Sequence, residues 1–186
     1  MGRTIIIAIA AALALFPGYL YACGSMVQWK GVTVQISCAA FEPAKHHLSY
    51  QHGALSSIDG RKYSGTAGAI PKLQVQSLRV KFDGSEYVVP HELLRTLYEP
   101  VLPPQHRDSL SVQRRDDLIL VRFTGGGGAG AYEVMWVLNS ATSELTRLLY
   151  EQPDPGKAKM VRVQLKPRRG IHEARKTMAH ASGVKR

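Results

Sequence analysis

Residues 78–89 read Leu-Arg-Val-Lys-Phe-Asp-Gly-Ser-Glu-Tyr-Val-Val, and this stretch decides the fold. Apolar side chains alternate on both sides of Asp83-Gly84, a dipeptide typical of the two-residue turn of a β-hairpin. Pairing about this turn sets Val80 opposite Tyr87. One face of the hairpin is then apolar and the other carries opposite charges, so register and burial agree. The sequence therefore predicts an antiparallel hairpin with one buried face.

An earlier hairpin is predicted if the chain turns at Lys30-Gly31. A single straight strand over residues 26–38 would split its apolar side chains between two faces. The turn gathers them on one face and sets Cys23 opposite Cys38. Directly opposed cysteines in a hairpin lie within disulfide range, so this register makes a bridge between them feasible.

One helix and several further strands are predicted downstream. Pro90 suits the first turn of a helix over about residues 90–99, whose leucines recur at helical spacing. A turn at Arg115-Asp116 sets Leu110 opposite Val121. Alternating apolar residues predict the remaining strands at residues 109–114, 118–123, 132–138, 144–150 and 159–165.

The chain has 186 residues, enough for one domain. Short links between strands imply antiparallel pairing, so we expect a mainly β fold, a curved antiparallel sheet forming a sandwich or partial barrel with one short helix. Residues 23–155 form this domain, within which 39–71 are expected to be an irregular loop segment. Residues 156–186 hold the last strand, at about 159–165, and a basic tail. Deleting the last thirty or so residues is expected to leave the fold intact.

The first 22 residues have the features of an export signal. Arg3 provides the positive start, an apolar run covers Thr4 to Phe16, and Pro17-Gly18 interrupts it. The run is shorter than the roughly 20 apolar residues that a transmembrane helix needs. The sequence thus predicts an exported, periplasmic or membrane-associated protein, with an uncleaved N-terminal anchor as the alternative.

Leu20-Tyr21-Ala22-Cys23 resembles the bacterial lipoprotein signal, in which the cysteine carries a lipid. The resemblance implies a protein anchored to a membrane through Cys23. The same residues also suit an ordinary signal peptidase. A lipid on Cys23 and a disulfide to Cys38 exclude each other, so the alternatives are lipid, disulfide or neither.

A run of glycines is the first candidate functional feature. It consists of Gly125, Gly126, Gly127, Gly128 and Gly130, and it formally satisfies the dinucleotide motif G-x-G-x-x-G. A phosphate-binding glycine loop must begin a helix, whereas these glycines precede the predicted strand at residues 132–138. We therefore expect a hairpin loop, with a partner-binding loop as the functional alternative.

The second candidate is the group His46, His47 and His52, near Asp59. Imidazoles can bind zinc or copper, but the H-E-x-x-H spacing is missing, so these residues are weak metal candidates. Motifs for serine nucleophiles are also absent, and Cys38 is expected to be oxidised or buried. No cofactor, metal or catalytic residue is predicted.

The net charge of +10 suggests nucleic-acid binding at first, but it is concentrated at the C-terminus. Residues 156–186 carry ten basic residues and one acid, which leaves the rest nearly neutral. The tail has no aromatic residues for base stacking, so an anionic lipid or wall polymer is favoured over nucleic acid. The candidates for contact with an anionic surface are Arg168, Arg169, Arg175, Lys176, Lys185 and Arg186.

These features predict an exported bacterial envelope protein that acts as a binding module rather than as an enzyme. Its expected partner is another envelope protein, and one version is an inhibitor or immunity-type protein that uses the loop from Thr124 to Ala131. The first alternative is a small envelope hydrolase with a site near residues 46–59. The second is binding of an anionic surface or nucleic acid through the tail.

Overall fold

The computed structural model describes residues 5–7, 23–104, 108–152 and 154–169. Two antiparallel sheets contain most of the strands. The first has the order β1-β2-β3-β6-β7-β14. Its strands are β1 (Ile5–Ile7), β2 (Cys23–Trp29), β3 (Val32–Ala40), β6 (Leu73–Phe82), β7 (Ser85–Val88) and β14 (Arg168–Arg169).

The second sheet has the order β13-β12-β11-β10-β8, and β9 also pairs with β10. Its strands are β8 (Pro100–Val101), β9 (Leu110–Arg115), β10 (Leu118–Gly125), β11 (Tyr132–Asn139), β12 (Glu144–Glu151) and β13 (Asp154–Gln164). β4 (Leu48–Gln51) and β5 (Ala54–Ile58) form a separate hairpin, and α1 (His91–Leu94) is the one short α-helix described.

The two sheets share one core, which confirms the predicted mainly β, sandwich-like fold. Alternate residues of both sheets are fully buried in it, such as Ile36 and Leu78 from the first and Ile119 and Trp136 from the second. Within the described ranges neither sheet closes into a barrel. The two facing sheets are consistent with the sandwich-like form of the predicted fold.

Both early hairpins have the predicted register. Cys23 pairs with Cys38 across β2 and β3, and Val80 pairs with Tyr87 across β6 and β7. Lys30 turns with φ 45° and is followed by Gly31 at φ 78°, so this turn forms even though lysine disfavours positive φ. The apolar face of the hairpin outweighs that local preference.

The hairpin of β9 and β10 has the predicted faces but a shifted register. Leu110 pairs with Phe123 rather than with Val121, a slip of two residues. The turn lies at Asp116-Asp117, where Asp116 has φ 51°. A two-residue slip keeps every side chain on its face, so alternation alone could not distinguish the two registers.

The expectation of an irregular segment over residues 39–71 was wrong. This segment contains the β4–β5 hairpin, which turns at His52-Gly53 with both residues at positive φ. The hairpin has a small core of its own, formed by the buried residues Phe41, Leu55, Ile58 and Tyr98. The segment has few apolar residues, but three of its large ones, Phe41, Leu55 and Ile58, meet at one place and pack with Tyr98.

The helix is shorter than predicted, because it ends at Leu94 rather than near residue 99. The chain beyond it is held by isolated bridges from Leu97 to Ser64 and from Tyr98 to Gln74. These contacts draw the backbone out of the helix. The predicted leucine stripe is still buried, since Leu94 and Leu97 are both fully enclosed.

The C-terminal segment is more structured than the sequence suggested. β13 pairs along most of β12, Leu165 is buried in the core, and β14 pairs with β7 at the far edge of the first sheet. Deleting the last thirty residues would remove β14 and most of β13, so we now expect that deletion to destabilise the fold. Arg168 and Arg169 form β14, whereas Arg175, Lys176, Lys185 and Arg186 lie outside the described residues.

The predicted export signal also lies outside the described residues, except for Ile5–Ile7, which form β1. Across the ranges that the structure describes, no helix has both the length and the apolar character that crossing a membrane requires.

Candidate functional site

A half-buried carboxylate lies on Glu151, the last residue of β12. Glu151 Oε1 accepts a hydrogen bond from Ser64 Oγ, and Oε2 accepts one from Lys159 Nζ on β13. The Glu151 side chain is 27% exposed, so solvent reaches it from one side. Ser64, Glu151 and Lys159 are called the Glu151 clamp below.

The chain positions Ser64 through its backbone. Its amide donates to the carbonyl of Thr96 at 2.9 Å, and its carbonyl accepts from the amide of Tyr98 at 2.9 Å. Ser64 is only 4% exposed. The clamp therefore ties the loop after the small β4–β5 hairpin to the edge of the second sheet.

Charge balance keeps Glu151 ionised. Burial acts to raise the pKa of this carboxyl, but the hydrogen bonds from Lys159 and Ser64 outweigh burial and hold the pKa below its ordinary value. An ionised carboxylate with a lowered pKa is a poor general acid and a weak base near neutral pH. The hydroxyl of Ser64 donates a hydrogen bond to this carboxylate, but the lowered pKa makes Glu151 a weak base for activating that hydroxyl as a nucleophile.

Two shallow cavities flank Glu151 and share Ala131, Glu151 and Gln152 as lining. The first measures about 280 Å³ and lies between the glycine run and residues 62–68. It is lined by hydroxyl, amine and backbone groups of Ser56, Lys62, Tyr63, Ser64, Thr66, Ala129, Gly130 and Lys159. The second measures about 380 Å³ and is lined by Thr124, Gly125, Gly126, Tyr132, Glu133 and Tyr150. The two cavities adjoin at these shared residues and are together called the cleft below.

Three of the predicted loop glycines are packed against other groups. A Cβ on Gly125 would overlap the ring and hydroxyl of Tyr132, one on Gly126 would overlap the backbone of Gly65, and one on Gly130 would overlap the backbone of Thr66. The amide of Gly65 also donates to the carbonyl of Gly130 at 3.0 Å. These glycines allow two loops to approach closely and fix one wall of the cleft.

The other two glycines face open space. Nothing lies within 4 Å of a Cβ built on Gly127 or Gly128, and Ala129 beside them is exposed. Gly128 has φ +55°, whereas Gly127 has an extended backbone with φ −152°. Only the tip at residues 127–129 is therefore open to a partner, and the rest of the run is structural.

Tyr132 reaches under the glycine run with its hydroxyl buried. Among the described residues this oxygen has no hydrogen-bond partner. Burial, helped by the charge of Glu99, raises the pKa of the Tyr132 phenol, which therefore stays protonated. The hydroxyl neither ionises nor bonds to the clamp, so its role here is to fill space beneath Gly125.

The histidines predicted as weak metal candidates do not come together as one site. His46 Nδ1 lies 2.8 Å from Asp59 Oδ2, and the backbone amide of His47 donates to Asp59 Oδ1 at 2.9 Å. The hydrogen bond from His46 is the largest cause that holds the pKa of Asp59 below its ordinary value. His52 lies in the hairpin turn, and within the described ranges no three His, Cys, Asp or Glu residues are placed to share a metal ion.

The same pair bears on the hydrolase alternative. A histidine oriented by an aspartate supplies two of the three members of a catalytic triad. In the described chain, however, no hydroxyl or thiol is hydrogen-bonded to His46. The ring of His46 stacks on Phe41, with the ring centroids 4.6 Å apart. His46 thus links Phe41, which follows β3, to Asp59, which follows β5 of the small hairpin.

The two cysteines occupy the start of β2 and the far part of β3. Their α-carbons are 5.0 Å apart, and a disulfide joins them. Both pack on the main core, Cys38 fully and Cys23 in part. The bridge lies at the opposite end of the hairpin from the turn at Lys30-Gly31.

The clamp was missed by the sequence analysis. Ser64 and Glu151 are 87 residues apart, and neither belongs to a local motif. The one available signal was the position of Glu151 at the end of an alternating strand, next to the glycine run in the adjacent hairpin. Pairing the strands would have placed the two together, but only if the order of the sheet were known.

Comparison with known proteins adds no relative. No family model matches the chain, and the searches of curated proteins and of solved structures found no similar protein.

Proposed function

We propose that this protein is an exported binding module of the bacterial envelope and that its partner is another envelope protein. The observation that carries the proposal is the Glu151 clamp. Its charged groups are paired with one another and lie beneath a cleft that is open to solvent. Such a site offers fixed donors and acceptors for recognition, while its carboxylate, with a lowered pKa, is a poor general acid and a weak base.

The cysteine pair supports the export part of the proposal. Disulfides persist in oxidising compartments such as the periplasm, and these cysteines are opposed at a distance that a disulfide allows. A bridged Cys23 has no free sulfur for a lipid. We therefore favour a periplasmic protein with an oxidised Cys23 over one that is anchored by lipid on Cys23.

Binding at the cleft can be tested by filling it. Ala129 lines the cleft and is exposed, so Ala129→Trp places a large side chain over the clamp without entering the core. Ala141→Trp is the matched control, since Ala141 is equally exposed but lies in the turn between β11 and β12. Partners captured from envelope extracts should be lost with Ala129→Trp and kept with Ala141→Trp.

Two results would contradict this assignment. If both variants capture the same proteins as the unaltered chain, the cleft is not the binding surface. If the purified chain hydrolyses an envelope substrate and Asp59→Asn abolishes that hydrolysis, the alternative of a hydrolase near residues 46–59 is correct.

A further inference from the structure

β1 covers the outer edge of β2. The two strands run antiparallel, with Ile5 opposite Gln28, Ile6 opposite Val27 and Ile7 opposite Met26. β3 covers the other edge of β2. β1 belongs to the segment that the proposed export would remove. In the exported protein, the backbone donors and acceptors along the outer edge of β2 would then have no partner.

β2 carries none of the residues that normally protect a free edge. Charged side chains and prolines keep exposed strands from pairing with other chains. The edge strands of the two large sheets have them: Pro100 in β8, Arg114 and Arg115 in β9, Asp154 and Pro155 in β13, and Arg168 and Arg169 in β14. β2 reads Cys-Gly-Ser-Met-Val-Gln-Trp, with no charge and no proline. This composition is typical of an inner strand, which is paired along both of its edges.

A groove beside β2 indicates what such a partner strand would need. This groove measures about 790 Å³ and separates β2 from β9. Val27, Leu110 and Val112 give it an apolar base, and the charged residues that also line it are Lys30, Asp108, Arg114, Arg115 and Arg122. A residue that pairs with Val27 shares its face of the sheet, so an apolar side chain is favoured at that position of the added strand.

We propose that the outer edge of β2 is a second binding site, which accepts an extended, uncharged and β-branched strand of a partner protein in the antiparallel register held by β1. The chain's own Ile5–Ile7 fills the site before export, and the partner strand replaces it afterwards. This inference rests on the proposed function for the removal of β1. A second copy of the chain fits less well, because β2 offers only one β-branched residue, Val27.

The test uses the full-length chain and a labelled peptide of residues 3–10, Arg-Thr-Ile-Ile-Ile-Ala-Ile-Ala. One protein is unaltered, so β1 occupies its own site. The other carries Ile5→Asp, Ile6→Asp and Ile7→Asp, which removes the strand-forming residues of β1. Fluorescence anisotropy should give a Kd at least tenfold lower for the triple variant. Equal affinity for both proteins would overturn the proposal.

A charge on the edge provides the matched pair of variants. Met26→Lys, added to the triple variant, places a charge where the peptide pairs, and it should weaken peptide binding at least tenfold. Gln35→Lys is the control, because Gln35 lies opposite Met26 on β3, an inner strand. Equal effects of the two lysines would overturn the proposal. So would dimerisation of the triple variant without peptide binding, which would assign the edge to a second copy.

Hydrogen exchange of the unaltered chain keeps the test decisive if the triple variant folds poorly. The amides of β2 that face β1 should be protected, and protection should fall in a single Ile6→Asp variant. Full protection of β2 in that variant would overturn the proposal. Neither experiment requires cleavage before Cys23, so the result for this edge does not depend on export, and the two proposals can fail separately.

Discussion

Cys23 and Cys38 face each other at the open end of the first hairpin, with their α-carbons 5.0 Å apart and a disulfide between them. The bridge closes a short loop, with a sequence separation of 15 residues. It joins the first strand after the predicted export signal to a central strand of the sandwich. The start of β2 is thereby fixed to the core.

Removing this bridge should destabilise the fold without changing where the protein resides. Cys38→Ser is expected to lower the free energy of unfolding by about 3 kcal/mol, the value typical of a loop of this size. Urea unfolding under oxidising conditions measures the change. Cys23→Ser should cost the same, because either substitution breaks the same bond. If Cys23→Ser alone releases the protein from membranes, Cys23 carries a lipid instead.

The glycine run should show one sensitive and one tolerant position. Gly125→Ala places a methyl group against Tyr132 in a packed region, so we expect a loss of about 2 kcal/mol. Gly127→Ala is the control, since its backbone is extended and the space around it is open; its effect should stay within about 0.5 kcal/mol. Thermal or urea unfolding of both variants checks this. Equal stability would mean that the loop does not pack on Tyr132.

The Glu151 clamp should make stability depend on acid. The pKa of Glu151 is lower in the folded protein than its ordinary value of 4.5, so the clamp stabilises the fold above that pH and loses its contribution as pH falls through the folded pKa. Glu151→Gln should therefore be less stable than the unaltered chain at pH 7. The difference should shrink on acidification below about pH 4.5. Urea unfolding across this range measures it.

Glu144→Gln is the control for this experiment. Glu144 lies at the other end of β12 and also pairs with β13, but its contact with Arg162 is an exposed one at 3.9 Å. Removing an exposed ion pair costs about 0.5 kcal/mol or less. If both variants behave alike at pH 7, the Glu151 clamp contributes no more than a surface ion pair.

Truncation should locate the true end of the domain. A chain that ends at residue 169 keeps β13, Leu165 and β14, so its Tm should match that of the full chain. A chain that ends at residue 153 loses both strands and exposes the edge of β12. We expect its Tm to fall by roughly 10 °C or more, because a buried leucine and a whole strand are lost. Equal Tm values would mean that β13 does not contribute to the core.

The chain that ends at residue 169 also tests the alternative in which the basic tail binds an anionic surface. Ending at residue 169 removes Arg175, Lys176, Lys185 and Arg186 but keeps Arg168 and Arg169. If the tail binds an anionic surface, the full chain should bind anionic vesicles more tightly at low salt, with each basic residue contributing about 1 kcal/mol. Vesicle sedimentation with both chains measures this. Equal binding by the two chains would place the interaction elsewhere.

The sequence predicted those parts of the fold in which local turn chemistry and alternation agree. Asp83-Gly84 fixes its hairpin because aspartate and glycine suit the turn and the flanking residues alternate. The register of β9 and β10 could not be fixed in this way. Either of two adjacent turns keeps the same faces, and the choice depends on the rest of the sheet.

The candidate site was less predictable because it is built from distant residues. Glycine composition indicated the loop but not its packing, since the close approach of Gly65 to Gly126 and of Thr66 to Gly130 appears only in the folded chain. Glu151 is one carboxylate among many in the sequence. Its neighbours Ser64 and Lys159 become informative only after β12 and β13 are paired.

The central claim, an exported protein with an oxidised Cys23, is tested most directly by the intact mass of the full-length gene product purified from the cell envelope. We expect a chain that begins at Cys23 and weighs two hydrogens less than its reduced form, with no acyl group. A chain that still begins at Met1, or one that begins at Cys23 and carries a lipid, would contradict this account.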